Sequence, residues 1–88
     1  MNEPTFKTTD YFRESVLARR PELEALFPLI VKAINNPIFV EYETETNRYR
    51  HYIYRPTSNH YYRVILLADG ETVHNVFPDR NFKRRMEE

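Results

Sequence analysis

Residues 61–77 read Tyr-Tyr-Arg-Val-Ile-Leu-Leu-Ala-Asp-Gly-Glu-Thr-Val-His-Asn-Val-Phe and decide the fold of the chain. Asp69-Gly70 is the strongest hairpin signal in the sequence, because this dipeptide accepts the positive φ angles that a tight turn requires. The residues before the turn are apolar at successive positions, which is typical of a strand covered on both faces. The stretch therefore predicts a central strand over residues 61–68 and a last strand over residues 71–77.

Two more strands are predicted upstream of this hairpin. Ile38, Val40 and Tyr42 alternate with glutamates, which indicates a half-buried strand. The following strand is predicted over Arg48–Arg55. Short connections favour antiparallel neighbours, so the four strands should form a meander in the order 1-2-3-4.

The first third of the chain has a helical period instead. Thr9 or Asp10 can cap a first helix, which must end before Pro21. The apolar residues of a second helix recur at helical spacing: Leu23, Leu26, Phe27, Ile30, Val31 and Ile34. Pro28 should kink or split that helix.

These elements predict one α+β domain over residues 1–88, with N-terminal helices packed on one face of a four-stranded antiparallel β-meander. Residues 1–8 are predicted to be a loose lead-in and residues 79–88 a basic tail. The 88 residues suffice for one core, and the absence of cysteine excludes disulfides and thiolate metal sites. No apolar run reaches the ~18 residues of a membrane span and no signal-peptide pattern is present, so we expect a cytoplasmic protein without a membrane partner.

The formal net charge of zero conceals an asymmetry. Residues 1–47 carry five Lys or Arg against eight Asp or Glu, whereas residues 48–88 carry eight against five. Ten of the thirteen cations are arginine, whose planar fork suits phosphate and carboxylate groups. The sheet half is therefore where an anionic partner should be sought.

A two-residue loop at Thr46-Asn47 would fix the register of the first two strands. It would place Glu45 opposite Arg48 and Glu43 opposite Arg50. Opposite charges across strands contribute roughly 0.2–1 kcal/mol, so ion pairs alone can explain these arginines.

The three histidines do not form a metal site. The same register turns His51 toward the apolar side, where a structural role is expected. His51, His60 and His74 lack the spacing of metal ligands, and a single glycine cannot build a phosphate loop. We therefore expect neither a metal nor a cofactor.

The Asp69-Gly70 turn sets a second register. One face should carry the helices and collects Val64, Leu66, Val73 and Phe77. The other face collects Arg63, Ile65, Leu67, Thr72 and His74. Arg63 and His74 would be diagonal neighbours there, and a guanidinium beside an imidazole can hold a phosphate and move a proton, as metal-free RNA cleavage requires. An ordinary solvent-exposed face with one histidine and one arginine is the alternative.

Tyrosines alternate with arginines along the predicted second strand. Arg50, Tyr52 and Tyr54 could bind RNA through phosphate contacts and base stacking, and Arg80 and Lys83 of the tail could add phosphate contacts. Tyrosine is also a preferred strand residue, so the same pattern fits a plain sheet.

The order of these parts resembles the small phage and bacterial domains of the barnase–EndoU–colicin–RelE-like nuclease superfamily. The resemblance covers roughly residues 11–85 and rests on four stretches: Arg19–Leu23, Ala33–Pro37, Tyr61–Leu67 and Val73–Lys83. It implies a helical layer on a four-stranded antiparallel sheet, metal-independent ribonuclease chemistry (in some members as a toxin) and, in many members, an inhibitory partner protein.

The chain departs from that family at functional positions. Ser15 and Arg20 stand where relatives often carry histidine, and His74-Asn75 stands where they often carry threonine. The register places His74 and Arg63 together, and the resemblance makes a shared role plausible for them with Arg20; these three are the candidate catalytic residues, with His74 as acid or base and the arginines on phosphate. Two alternatives remain open: a non-catalytic nucleic-acid- or protein-binding module that keeps the fold, and a plain interaction domain.

Overall fold

A computed structural model describes residues 4–82, which form two helical segments followed by a four-stranded antiparallel sheet in the order β1-β2-β3-β4. The strands are β1 (Phe39–Glu43), β2 (Arg48–Arg55), β3 (His60–Leu66) and β4 (Val73–Pro78). The predicted α+β fold is confirmed, and β3 is a central strand as expected. Among the described residues, no helix is long and apolar enough to cross a membrane.

The first helical segment is a π-helical turn over Phe12–Val16 that continues as a short α-helical turn over Leu17–Arg19. Thr9 caps it, because its Oγ1 accepts a hydrogen bond of 3.0 Å from the N–H of Phe12.

The second helical segment changes from a 3₁₀ helix to an α-helix near Pro28, in agreement with the predicted split at that residue. It begins as a 3₁₀ helix over Pro21–Leu26 and continues as an α-helix over Phe27–Asn35. Pro28 lies in the first turn of the α-helix, where a missing N–H removes no intrahelical hydrogen bond.

Both helical segments cover the same side of the sheet, which we call the inner face; the opposite side is the outer face. The core between them contains Phe12, Leu23, Leu26, Phe27 and Ile30 from the helices and Ile53, Val64, Leu66, Val73 and Val76 from the sheet. The prediction that Phe77 packs in this core is wrong, since Val76 takes that place and Phe77 is only half-buried.

A β-bulge in β4 causes the difference. Leu66 pairs with Val73 as predicted, whereas Ile65 pairs with Asn75 and not with His74. His74 is therefore the extra residue of β4 and has no partner of its own in β3. A bulge of this kind bends its strand and changes the direction of nearby side chains. From Asn75 onward, β4 side chains lie on the face opposite to the predicted one.

The predicted register of β1 and β2 is also wrong, by two residues. Glu43 pairs with Arg48, and residues 44–47 form a longer turn in which Asn47 has a φ of 57°. Asn47 tolerates this left-handed conformation, and its Oδ1 accepts a hydrogen bond from the hydroxyl of Tyr42. A shift of two leaves every side chain on its predicted face. His51 accordingly lies on the inner face, with Nδ1 2.8 Å from the carbonyl oxygen of residue 33.

The first predicted strand is not half-buried at Ile38, Val40 and Tyr42, which are 48%, 44% and 46% exposed. The second helical segment contacts β2 and β3, but makes no such contact with β1.

The described residues that flank these elements pack against them, and residues 1–3 of the predicted lead-in lie outside the described residues. Thr8 forms a parallel bridge to Val73, and Phe6 packs against the core, so the predicted lead-in is wrong for these residues. After β4, a helical turn places Phe82 on the outer face, where its ring stacks on Tyr52 at 4.0 Å. The rest of the predicted basic tail, residues 83–88, lies outside the described residues.

Candidate functional site

The outer face holds a concavity of about 300 Å³ above one end of the sheet. We call it the outer concavity, and its lining residues are Tyr11, Glu43, Thr46, Arg48, Arg50, Arg63, Ile65, His74, Asn75 and Phe77. Strand alternation brings Arg48 and Arg50 to this face from β2 and Arg63 from β3. His74 reaches the same face because it follows Val73, which points to the inner face.

Arg63 is held firmly beneath the concavity. Its Nη2 lies 3.0 Å from Oδ2 of the buried Asp79, and its guanidinium lies 4.6 Å from the ring centroid of Phe77. Its Nε–H is buried and has no hydrogen-bond partner among the described residues.

The two arginines of β2 differ in their charge balance. Arg50 forms an ion pair with Glu43, its diagonal neighbour in the observed register. Within residues 4–82, no carboxylate forms an ion pair with Arg48. Arg48 therefore supplies the outer concavity with a positive charge that no described carboxylate balances.

His74 is positioned by the N-terminal segment. Its Nδ1 lies 3.2 Å from Oγ1 of Thr9, and its ring stacks on Tyr11 at 4.9 Å. The hydroxyl of Thr9 can either donate to Nδ1 or accept from Nδ1–H, so it supports both neutral tautomers. In the second arrangement, Nε2 keeps its lone pair and can accept a proton.

Two effects lower the pKa of His74 below its ordinary value of 6.5. Burial is the larger, since the charged ring loses solvation, and the positive charge of Arg48 is the smaller. The imidazole is consequently neutral near pH 7 and suited to act as a proton acceptor.

The predicted catalytic residues are only partly brought together. His74 and Arg63 line one concavity, as expected. Arg20 lines an adjoining hollow instead, where it donates a hydrogen bond of 2.9 Å to the carbonyl oxygen of Val76. Arg80 is exposed and does not line the concavity either, so neither Arg20 nor Arg80 joins His74 and Arg63 there.

The residues predicted to contact RNA lie in different surroundings. Arg50 lines the concavity, but the prediction that Tyr52 stacks on a base is wrong, because Phe82 covers it and it is fully buried. Tyr54 lies toward the other end of the sheet and donates a hydrogen bond of 2.6 Å to Oδ1 of Asn59. Lys83 lies outside the described residues.

Three residues of the site were not assigned to it from sequence. Arg48 was explained by a cross-strand ion pair with Glu45 that the observed register does not contain. Thr9 was assigned only a capping role. Nothing in the local sequence of Tyr11 indicates that a bridge between residue 8 and β4 brings it onto His74.

Among residues 4–82, no three His, Cys, Asp or Glu side chains lie together as a metal site would require. Comparisons with protein-family models, with curated proteins and with solved structures found no match to the chain.

Proposed function

We propose that the chain is a metal-independent ribonuclease-like domain whose site is the outer concavity. The observation that carries the proposal is the meeting of a neutral histidine, His74, with three arginines in one concavity. Cleavage of a phosphodiester without metal needs fixed positive charge at the phosphate oxygens and a group that moves a proton near neutral pH. The proposal also makes this domain a member of the nuclease superfamily that its sequence resembles.

In this proposal the arginines hold the scissile phosphate. Arg48 brings the charge that no described carboxylate balances, and Arg63, whose side chain is partly exposed in the same concavity, presents its guanidinium to a phosphate oxygen. A charge-assisted hydrogen bond of this kind is roughly twice as strong as a neutral one. Arg50 would join them by exchanging Glu43 for the phosphate.

His74 takes the proton of the ribose 2′-hydroxyl at Nε2. The 2′-oxygen then forms a bond to phosphorus while the bond from phosphorus to the 5′-oxygen breaks. The leaving oxygen takes a proton from solvent water, and the products carry a 2′,3′-cyclic phosphate and a 5′-hydroxyl. Thr9 keeps the ring oriented through both protonation states.

Tyr11 is suited to hold the adjoining base. Its ring is exposed beside His74, and stacking a base on an aromatic ring is worth about 1–3 kcal/mol. The proposal also includes a cytoplasmic location and, by the family resemblance, an inhibitory partner protein and a toxin role.

The test is incubation of the purified chain with total RNA and with ribosome-bound RNA in the presence of EDTA. We expect cleavage that EDTA does not reduce, and products that end in 2′,3′-cyclic phosphate. Failure to cut any RNA, or products with a 3′-hydroxyl, would contradict the mechanism.

A second candidate function is RNA binding without cleavage. It is favoured by two ion pairs, Arg50 with Glu43 and Arg63 with Asp79, which already neutralise two of the three arginines. Saturable RNA binding at the outer concavity with no product formed would support this second function against the first.

A further inference from the structure

The outer concavity adjoins a second hollow of about 280 Å³ at the end of the first helical segment, which we call the helix hollow. Its lining residues are Tyr11, Val16, Arg19, Arg20 and Asn75. Tyr11 and Asn75 line the outer concavity as well, so one extended ligand can occupy both hollows.

Arginines give the helix hollow its charge. Arg19 is exposed, and no carboxylate within residues 4–82 forms an ion pair with it. Its Nε–H donates a hydrogen bond of 3.1 Å to the carbonyl oxygen of Ser15, which orients the guanidinium. Arg20 has Glu22 at 3.9 Å, but an ion pair this long between partly exposed side chains is weak. Arg19 thus supplies a positive charge that no described carboxylate balances, as Arg48 does in the outer concavity.

An aromatic ring is shared by the two positively charged hollows. Tyr11 is 43% exposed and lines both of them. A single-stranded nucleic acid alternates phosphates with bases, and proteins bind such strands with cationic grooves and aromatic stacking platforms. An acidic peptide would satisfy the arginines but would carry no base to stack on the ring. The arrangement therefore favours a nucleic acid strand over a peptide.

We propose that the helix hollow is a second phosphate subsite. Arg19 and Arg20 bind the phosphate next to the one in the outer concavity, and the base of the nucleotide between them stacks on Tyr11. The ligand is thus a single strand with at least two consecutive phosphates. Arg20, which the sequence assigned to the scissile phosphate, binds its neighbour instead. This inference rests on the proposed function only for a nucleic acid strand in the outer concavity, and not for its cleavage.

The probes are unlabelled 2′-O-methyl uridine oligonucleotides, a dimer with one phosphate and a tetramer with three. The methyl group blocks the attacking oxygen, so binding is measured without cleavage. NMR titration of the full chain should show that Arg19→Ala weakens binding of the tetramer by about tenfold and leaves binding of the dimer unchanged. The salt dependence of tetramer binding should also fall, by about 0.7 in the slope of log K against log salt, because one phosphate contact is lost.

Arg13→Ala is the matched control. Arg13 lies on the same helical segment and is paired with Asp10, but it lines neither hollow. Its loss should leave both affinities unchanged. If Arg19→Ala does not fold by circular dichroism, Arg19→Gln replaces it.

Four results would overturn the subsite: no binding of either oligonucleotide, equal tetramer affinity of wild type and Arg19→Ala, an equal loss for dimer and tetramer, or equally tight binding of a blocked triglutamate peptide with the same charge as the tetramer. Cleavage of RNA together with tetramer binding that ignores Arg19 would refute the subsite and leave the proposed function intact. Binding that depends on Arg19 without any cleavage would support the subsite and refute the proposed cleavage.

Discussion

The inner and outer faces of the sheet differ in what determines the placement of their side chains. On the inner face, Val64 and Leu66 are shut off from water by the helices, so hydrophobicity decides most of the side chains there, and His51 is accommodated by its hydrogen bond to a helix carbonyl. On the outer face, Arg50 and Arg63 are each placed by one carboxylate partner. Alternation therefore predicts the apolar face where a strand is regular and fails at the bulge of β4, whereas the arginines of the polar face depend on individual partners on other elements.

The largest expected difference between the faces is in stability. Leu66→Ala should lower the free energy of unfolding by about 2–5 kcal/mol, because it leaves a cavity in a fully buried part of β3. Its neighbour Ile65 points to the outer face and is half-buried, so Ile65→Ala should cost about 1 kcal/mol. Urea unfolding of both variants measures the difference, and equal losses would contradict the assignment of the faces.

A smaller effect tests whether the outer face has a core of its own. Phe82 is 1% exposed and stacks on Tyr52, so Phe82→Ala should lower the free energy of unfolding by about 3 kcal/mol. Tyr54→Ala, at a half-exposed position of the same face, is the control and should cost less. If Phe82→Ala unfolds at the same urea concentration as wild type, the helical turn after β4 does not cover Tyr52 in solution.

The smallest effect concerns pH. The pKa of His74 is lowered in the folded chain, so the unfolded chain binds a proton more readily. The resulting stability is present above pH 6.5 and is lost as the pH falls from there toward the folded-state pKa.

His74→Asn should remove this contribution, whereas the control His60→Asn should retain it. The measurement is the free energy of unfolding of the three proteins between pH 5 and 8. A wild type and a His74→Asn variant with parallel pH profiles would show that the pKa of His74 is not lowered on folding.

The features that the sequence predicted correctly are those that local interactions determine. The pairing of Leu66 with Val73 follows from the Asp69-Gly70 turn, whose Asp69 Oδ1 accepts hydrogen bonds from the N–H groups of residues 71 and 72. Leu66 and Val73 were therefore placed correctly. Arg63 was also placed correctly on the outer face, because alternation along β3 is uninterrupted and the extra residue lies in β4.

The errors arise where a non-local contact or a left-handed residue intervenes. The bulge at His74 accompanies the bridge between Thr8 and Val73, which strand alternation cannot reveal. Asn47 adopts a positive φ and belongs to a turn that is longer than the two-residue loop predicted from the sequence. Tyr52 is covered by a helical turn that follows β4, far away in sequence.

The central claim is that His74 moves a proton in RNA cleavage at the outer concavity. The most direct test is the rate of RNA cleavage, in EDTA, by wild type, His74→Asn and His60→Asn. A positioned general base contributes about 10²–10⁴-fold, so His74→Asn should lose at least about a hundredfold in kcat/KM. His60 does not line the concavity, and His60→Asn should cleave at the wild-type rate. Equal rates for the two variants would contradict the claim.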